Sequence, residues 1–492
     1  MADGPALSTK VNRGVAWAAA AQAVIAISDL VSQMIVVALF VSDADYGVAS
    51  AAFAYYTMLD NAADLGVTSS LIQLDDHTPE RVSTVFWLNL MVSGGLFGAL
   101  CIVGPLYGRW QDDAIIGVLL IAYGGKLLFQ NVYAIPFALL RKELRFADIA
   151  VARTIAHLCE SISRVVFAAM GATIWCFTLA PLVRTVVFGA IMQLRHPFLP
   201  RFVFKPRAVL PYIRFGMRTA ASQVLYQLYT NLDYAVVLHF FGKTANGIYT
   251  LAYFLVLEPV KTIANVVIDV AFPAFARLRD DRGGLVRAFI QLTRLNLIVV
   301  LPFVVLILLV IPEFLETFYS GGTRSHADLV LCGQAARILC AVGMLRALGF
   351  LGPPLLDGIG HPERTLRYMI VASIVVPASY VVGAELLGDR LGLLSVAVAW
   401  AIGYPIAFAA LSYLVARSID LPIGDYARGS WGIIGCCLAG LAAGLGVSQL
   451  MPGAASAVRM VAIGGASLVV TVALLAAWQK ITPRSIAAAV RG

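Results

Sequence analysis

About fourteen apolar stretches, each long enough to cross a bilayer, fill this 492-residue chain almost from end to end. No soluble domain of that length could bury them all. A composition of 60% hydrophobic and 13% charged residues, with a mean hydropathy of +0.84, points the same way. The runs are continuously apolar, without the alternation and frequent turns of an outer-membrane barrel, so they read as helices. The expected fold is therefore an all-α polytopic membrane protein. Its spans lie near residues 15–41, 46–74, 82–106, 114–140, 147–170, 172–194, 217–241, 248–275, 288–311, 329–351, 367–387, 392–416, 431–450 and 457–478.

The first run follows Lys10 and Arg13. It is too long for a signal-peptide h-region and lacks a clear small-residue cleavage site, which makes it an uncleaved first span. Leu7, Val11 and Val15 give its entry a short amphipathic character. With the N-terminus inside, cytoplasmic segments collect roughly 23 Lys and Arg while the opposite loops hold about 5, as the positive-inside rule requires. The rich segments are Arg141 to Arg145, Arg195 to Arg218 and Arg277 to Arg287. The poor loops each hold one cation: Arg109, Lys243, Arg324, Arg390 and Arg459. Both termini are thus expected in the cytoplasm.

These loops account for the net charge of +8. Cations beside helix ends orient the chain and attract anionic lipid, which argues for membrane lipid as a partner and against nucleic acid. The seven cysteines (Cys101, Cys159, Cys176, Cys332, Cys340, Cys436 and Cys437) all fall in expected spans, and none has metal-ligand spacing. No metal or cofactor is expected. The absence of a GxxxxGK[ST] loop excludes a P-loop ATPase. The outward loops are short, where a polymerase would normally need a large periplasmic one. Small-residue stretches at Gly435–Gly446 and Ala462–Ala466 are expected to pack helices closely.

The chain also resembles itself. Leu39-Phe40-Val41 runs into Asp45-Tyr46-Gly47-Val48, and His239-Phe240-Phe241 runs into Ala245-Asn246-Gly247-Ile248. Six spans separate the copies, so both have the same orientation, as in transporters built from parallel repeats. The expected organisation is a six-helix N-terminal lobe (1–194), a basic linker (195–215) bearing Pro197, Pro200, Pro206 and Pro211, and a second six-helix lobe (216–417). Two further helices and a tail (418–492) follow.

Motifs within this repeat carry a family resemblance. Phe215-Gly216-Met217 through Asn231-Leu232-Asp233, then Phe240-Phe241-Gly242 to Gly247-Ile248-Tyr249-Thr250-Leu251-Ala252-Tyr253, is similar to the central signature of bacterial polysaccharide-transport flippases. Asp45-Tyr46-Gly47, Asp64-Leu65-Gly66 and Leu71-Ile72-Gln73 resemble the matching part of the first half. Phe272-Pro273-Ala274-Phe275-Ala276-Arg277-Leu278 resembles the family's FPxxSR element, with Ala276 in place of the usual serine. This is the Wzx-type family of the multidrug/oligosaccharidyl-lipid/polysaccharide exporter superfamily. The resemblance implies an inner-membrane flippase, not an enzyme. It would carry an undecaprenyl-pyrophosphate-linked repeat unit for exopolysaccharide, capsule or O-antigen synthesis, working beside a glycan polymerase and a chain-length regulator. A cation-coupled multidrug exporter of the same superfamily and a membrane glycan polymerase stay open as alternatives.

Ionisable groups inside spans are costly unless paired or facing water, and so mark function. In the fifth span Arg153, His157, Glu160 and Arg164 follow at i, i+4, i+7 and i+11, on one helical face. Glu160 and Arg164 can pair locally, leaving Arg153 in excess. Lys126, Arg184, Arg218, Arg294, Arg337 and Arg346 add positive charge. The expected substrate site is a cation-lined cavity built from these eight residues, because guanidinium forks suit phosphate oxygens. Asp29, Asp60, Asp64, His157, Glu160, Gln223, Gln227, Asp233, Glu258 and Lys261 are expected in coupling or structural polar roles, and Asp269 is a further acid. The competing reading is buried ion pairing that sets helix register, as between Glu258 and Lys261. Gln223, Tyr226, Tyr229, Gln334 and Tyr253 would suit sugar contacts.

Overall fold

Lipid offers no hydrogen bonds, so each spanning segment satisfies its own backbone, and helices dominate the computed structural model. The structure describes residues 4–63, 78–143, 145–321 and 324–478, and among these there is no strand. The helices are α1 (Gly4–Leu39), α2 (Asp43–Ala63), α3 (Pro79–Trp110), α4 (Ala114–Lys142), α5 (Phe146–Ala169), α6 (Cys176–Arg195) and α7 (Pro206–Arg277). They continue as α8 (Arg282–Tyr319), α9 (His326–Gly349), α10 (Gly352–Gly358), α11 (Pro362–Leu391), α12 (Leu394–Ile419), α13 (Ile423–Leu450) and α14 (Ser456–Trp478). The fourteen expected spans map onto these elements once α7 is counted as two and the short α10 is set aside.

Ten helices among the described residues are long and apolar enough to cross a membrane, and Val24–Leu39 forms a shorter apolar stretch of α1. α5 is absent from the ten for a plain reason: Asp148, Arg153, Glu160 and Arg164 interrupt its hydrophobicity.

α7 joins the seventh and eighth spans without a loop. Its helical dihedrals break only at Gly242 (φ 84°, ψ −178°), a conformation closed to residues with a Cβ. Ser325 and Asp328 form a capping box that starts α9.

The contacts fall into two compact units, 1–247 and 248–492. The first part of α7 therefore clusters with the first unit. Within that unit the most extensive helix pairs are α3 with α4, α5 with α6 and α1 with α5, while α4 also packs on α6 and α2. Within the second, α11 pairs with α12, α13 with α14 and α8 with α9, and α8 also receives both α13 and α14. In that unit Gly440 of α13 lies against Ser467 and Thr471 of α14. An ion pair between half-buried Arg459 and buried Glu313, at 3.0 Å, fixes the start of α14 to α8.

Two features of the first unit bear on function. Residues 196–205, between α6 and α7, run along the start of α3. Trp87 Nε1 donates to the Arg201 carbonyl (2.8 Å), the Arg201 amide donates to Ser83 (3.1 Å) and the Lys205 amide to Thr84 (3.2 Å). Phe202 stacks on Trp87 and Phe198 packs on Phe86. The stretch expected as a linker is in this part a docked strap. The second feature is where the two repeated corners meet. Gly47 and Gly247 approach so closely that a Cβ on either would strike backbone, the Lys243 carbonyl in one case and the Asp43 carbonyl in the other. Asn246, fully buried, donates to the Gly47 carbonyl at 2.7 Å. Beside this seam Lys243 pairs with Asp113 (2.6 Å) and His239 stacks on Trp110.

Candidate functional site

A buried charge cluster lies where α1, α5 and α6 converge. The helical spacing of α5 puts His157, Glu160 and Arg164 on one side, and α1 brings Asp29 and Ser32 against them. Glu160, only 3% exposed, sits at the centre. Its Oε1 accepts from Arg164 Nη2 at 2.9 Å, and its Oε2 lies 3.0 Å from Arg184 Nη1 of α6. Arg164 Nη1 also donates to Ser32 Oγ at 3.0 Å. His157 Nδ1 lies 3.2 Å from Asp29 Oδ2 and 3.7 Å from Glu160 Oε2. Ser161 donates to the other Asp29 oxygen at 3.1 Å.

A second group from α2 and α4 adjoins it. Lys126, 4% exposed, donates to the Tyr56 hydroxyl at 2.8 Å and lies 4.4 Å from that ring's centroid. Tyr56 in turn donates to Asp60 at 2.7 Å, and Gln130 also bonds Asp60. Lys126 is within electrostatic reach of Arg184, Asp60 and Glu160, which makes the two groups one network.

This network is balanced rather than cationic. Asp29 and Glu160 offset Arg164 and Arg184, and Asp60 offsets Lys126. Burial explains the pairing: a charge withdrawn from water is tolerable only beside its opposite. The expected local pair of Glu160 with Arg164 is present, and Arg153 is exposed on α5 with its guanidinium over the Phe137 ring.

Arg294, Arg337, Arg346 and Lys261 belong to the second unit. Arg346 is 2% exposed, its guanidinium near the rings of Phe350 and Trp400, and Trp400 stacks on Tyr253. Arg337 is exposed and Arg294 half-buried. Lys261 pairs with Glu258 at 3.4 Å. Among the other polar residues, Asp233 is fully buried and accepts from the Tyr234 amide at 3.0 Å. Gln227 accepts from Asn231 at 3.0 Å, and Gln223 is exposed. Asp64, with the motif residues Leu65, Gly66, Leu71, Ile72 and Gln73, lies outside the described residues, as do the side chains of Arg218 and Asp269.

Three members of the network carried weak sequence signals. Tyr56 stands four residues before Asp60, Ser32 three after Asp29, and Gln130 four after Lys126. Each sits one helical turn from a charge, where a hydrogen-bonding neighbour is expected.

Among the described residues, ten helices long and apolar enough to cross a membrane, with charges buried among the helices of the first unit, define the class, a multi-pass membrane protein. The family follows from comparison with known proteins. The profile of the family described as "Polysaccharide biosynthesis protein" matches residues 36–322, and the chain belongs to that family. The lipopolysaccharide biosynthesis protein WzxC of Escherichia coli K12 is 25% identical over 406 residues, which cover 80% of this chain and 79% of that one. The teichuronic acid biosynthesis protein TuaB of Bacillus subtilis 168 is 25% identical over 293 residues, 58% of each chain. Among solved structures, the lipid II flippase MurJ in an inward closed conformation superposes with a TM-score of 0.72 at 16% identity, covering 93% of this chain and 98% of that one. That likeness concerns the fold.

Proposed function

We propose that this chain is a flippase, moving a polyprenyl-pyrophosphate-linked oligosaccharide repeat unit from the cytoplasmic to the outer leaflet of the bacterial inner membrane, by alternating access. The observation that carries the reading is the pair of guanidiniums, Arg164 and Arg184, converging on one buried carboxylate with Lys126 nearby in a chain of this family. Guanidinium forks match phosphate oxygens, and the balance of charge in the network leaves no net negative site of the kind a carrier of organic cations needs. The names of the relatives, which concern lipopolysaccharide and teichuronic acid, favour a glycan substrate. The lobes proposed to work against each other are 1–194 and 216–417, with 418–492 accessory to them. A glycan polymerase and a chain-length regulator are the proposed partners downstream.

Complementation of a strain deleted for the gene tests this. Wild type restores surface glycan, while a Lys126→Gln/Arg184→Gln variant present at equal abundance leaves lipid-linked repeat units on the cytoplasmic face. Full glycan from the double variant would rule out the proposed site. Lowered dye accumulation with no effect on glycan would assign the chain to the multidrug branch instead.

A further inference from the structure

A charge-balanced cluster has no net pull on an anion, so a phosphate can use Arg164 and Arg184 only if an internal anion first steps aside. We infer that Glu160 is that anion: a resident counter-ion that occupies the two arginines in the empty transporter and yields Arg184 to the substrate's pyrophosphate. The inference rests on the proposed phosphate-bearing substrate.

Three observations support the exchange. First, the carboxylate uses one oxygen for each guanidinium, Oε1 to Arg164 at 2.9 Å and Oε2 to Arg184 at 3.0 Å, as two oxygens of a phosphate would. Second, the two contacts are unequal. The Arg164 contact is an aligned hydrogen bond, whereas Oε2 is buried without one, so Arg184 is held by charge alone. Arg164 Nε is likewise buried without a hydrogen-bond partner, a donor that the one carboxylate leaves unused and that an incoming oxyanion can fill. Third, exposure falls along the cluster. The Arg184 side chain is 31% exposed while Glu160 and Arg164 are buried, so Arg184 is the more reachable of the two guanidiniums for an incoming anion.

The displaced carboxylate has somewhere to go. His157 Nδ1 is 3.7 Å from Oε2, and a ring N–H placed there can serve Glu160 as well as Asp29. Arg164 keeps Oε1 throughout, so Glu160 pivots about its inner oxygen. When the phosphate leaves, Oε2 returns to Arg184 and the substrate is not rebound. Glu160 is thus a positioning residue that limits how tightly the pyrophosphate is held.

The test measures binding by full-length protein in nanodiscs, with undecaprenyl pyrophosphate and uncharged undecaprenol as probes, read by native mass spectrometry. Glu160→Gln should bind the pyrophosphate about fivefold or more tighter than wild type, bind undecaprenol unchanged and turn over more slowly in a flipping assay. Arg184→Gln should bind the pyrophosphate at least about fivefold more weakly. Equal or weaker pyrophosphate binding by Glu160→Gln, at wild-type thermal stability, overturns the inference. If that variant does not fold, Glu160→Asp keeps the charge but cannot span both arginines, and should tighten binding to a smaller degree; weaker binding overturns it equally. A wild type that prefers the pyrophosphate beside a Glu160→Gln no tighter sinks only the counter-ion exchange. A wild type without that preference sinks the proposed substrate, and the exchange with it.

Discussion

At the scale of single residues, position in a helix was readable and partnership was not. The face of α5 that carries His157, Glu160 and Arg164 follows from spacing alone, and so does the Glu160–Arg164 pair one turn apart. That Arg184 would share the same carboxylate, and that Asp29 would stand against His157, depends on which helices meet, and local periodicity holds no record of that. Lys126 gives the same lesson, because its partners Tyr56 and Asp60 come from another helix. Gly47 and Gly247 were visible as repeat-related positions but not as a contact. Their closeness makes a sharp prediction. Gly247→Ala puts a methyl on the Asp43 carbonyl, and should cost on the order of 1–3 kcal/mol, seen as a lowered melting temperature in detergent. Gly94→Ala, where nothing lies within 4 Å of the added carbon, should melt as wild type does. Equal melting of both variants would refute the seam.

At the scale of elements, the spans were legible because continuous apolar runs have one solution in lipid, a helix. The joins between them were less so. The proline-bearing segment after α6 looks like a plain connection in sequence, since its docking on α3 runs through backbone groups that pair with Ser83, Thr84 and Trp87. Backbone pairing leaves little trace in residue type. Trp87→Ala removes both the stacked ring and the donor to the Arg201 carbonyl, so trypsin should cut after Arg201 several times faster than in wild type, with the rest of the digest unchanged. An unaltered rate would mean that the strap is held by other contacts. The join of the seventh and eighth spans was expected as a loop and is instead a kink at Gly242, where two helices meet with no longer connection between them.

At the scale of the whole molecule, hydrophobic length and the bias of Lys and Arg are independent physics, and in the sequence both point to about fourteen crossings, where ten helices among the described residues are long and apolar enough to span. Single cysteines in a cysteine-free background test the arrangement directly. Those replacing Arg109, Arg324, Arg390 and Arg459 should react with a membrane-impermeant maleimide on intact cells. Those replacing Arg141, Lys205 and Arg282 should react only after permeabilisation, and a reversed pattern at any of them removes a span. The charge load of α5 has a further consequence, for synthesis. A segment bearing Asp148, Arg153, Glu160 and Arg164 partitions poorly from the translocon on its own, and the opposite charges that neutralise it reside on a helix made earlier and one made later. Joint insertion of α5 with α6 is the expected outcome, and a nascent chain cut short before Arg184 should leave α5 largely outside the bilayer in a glycosylation-mapping assay.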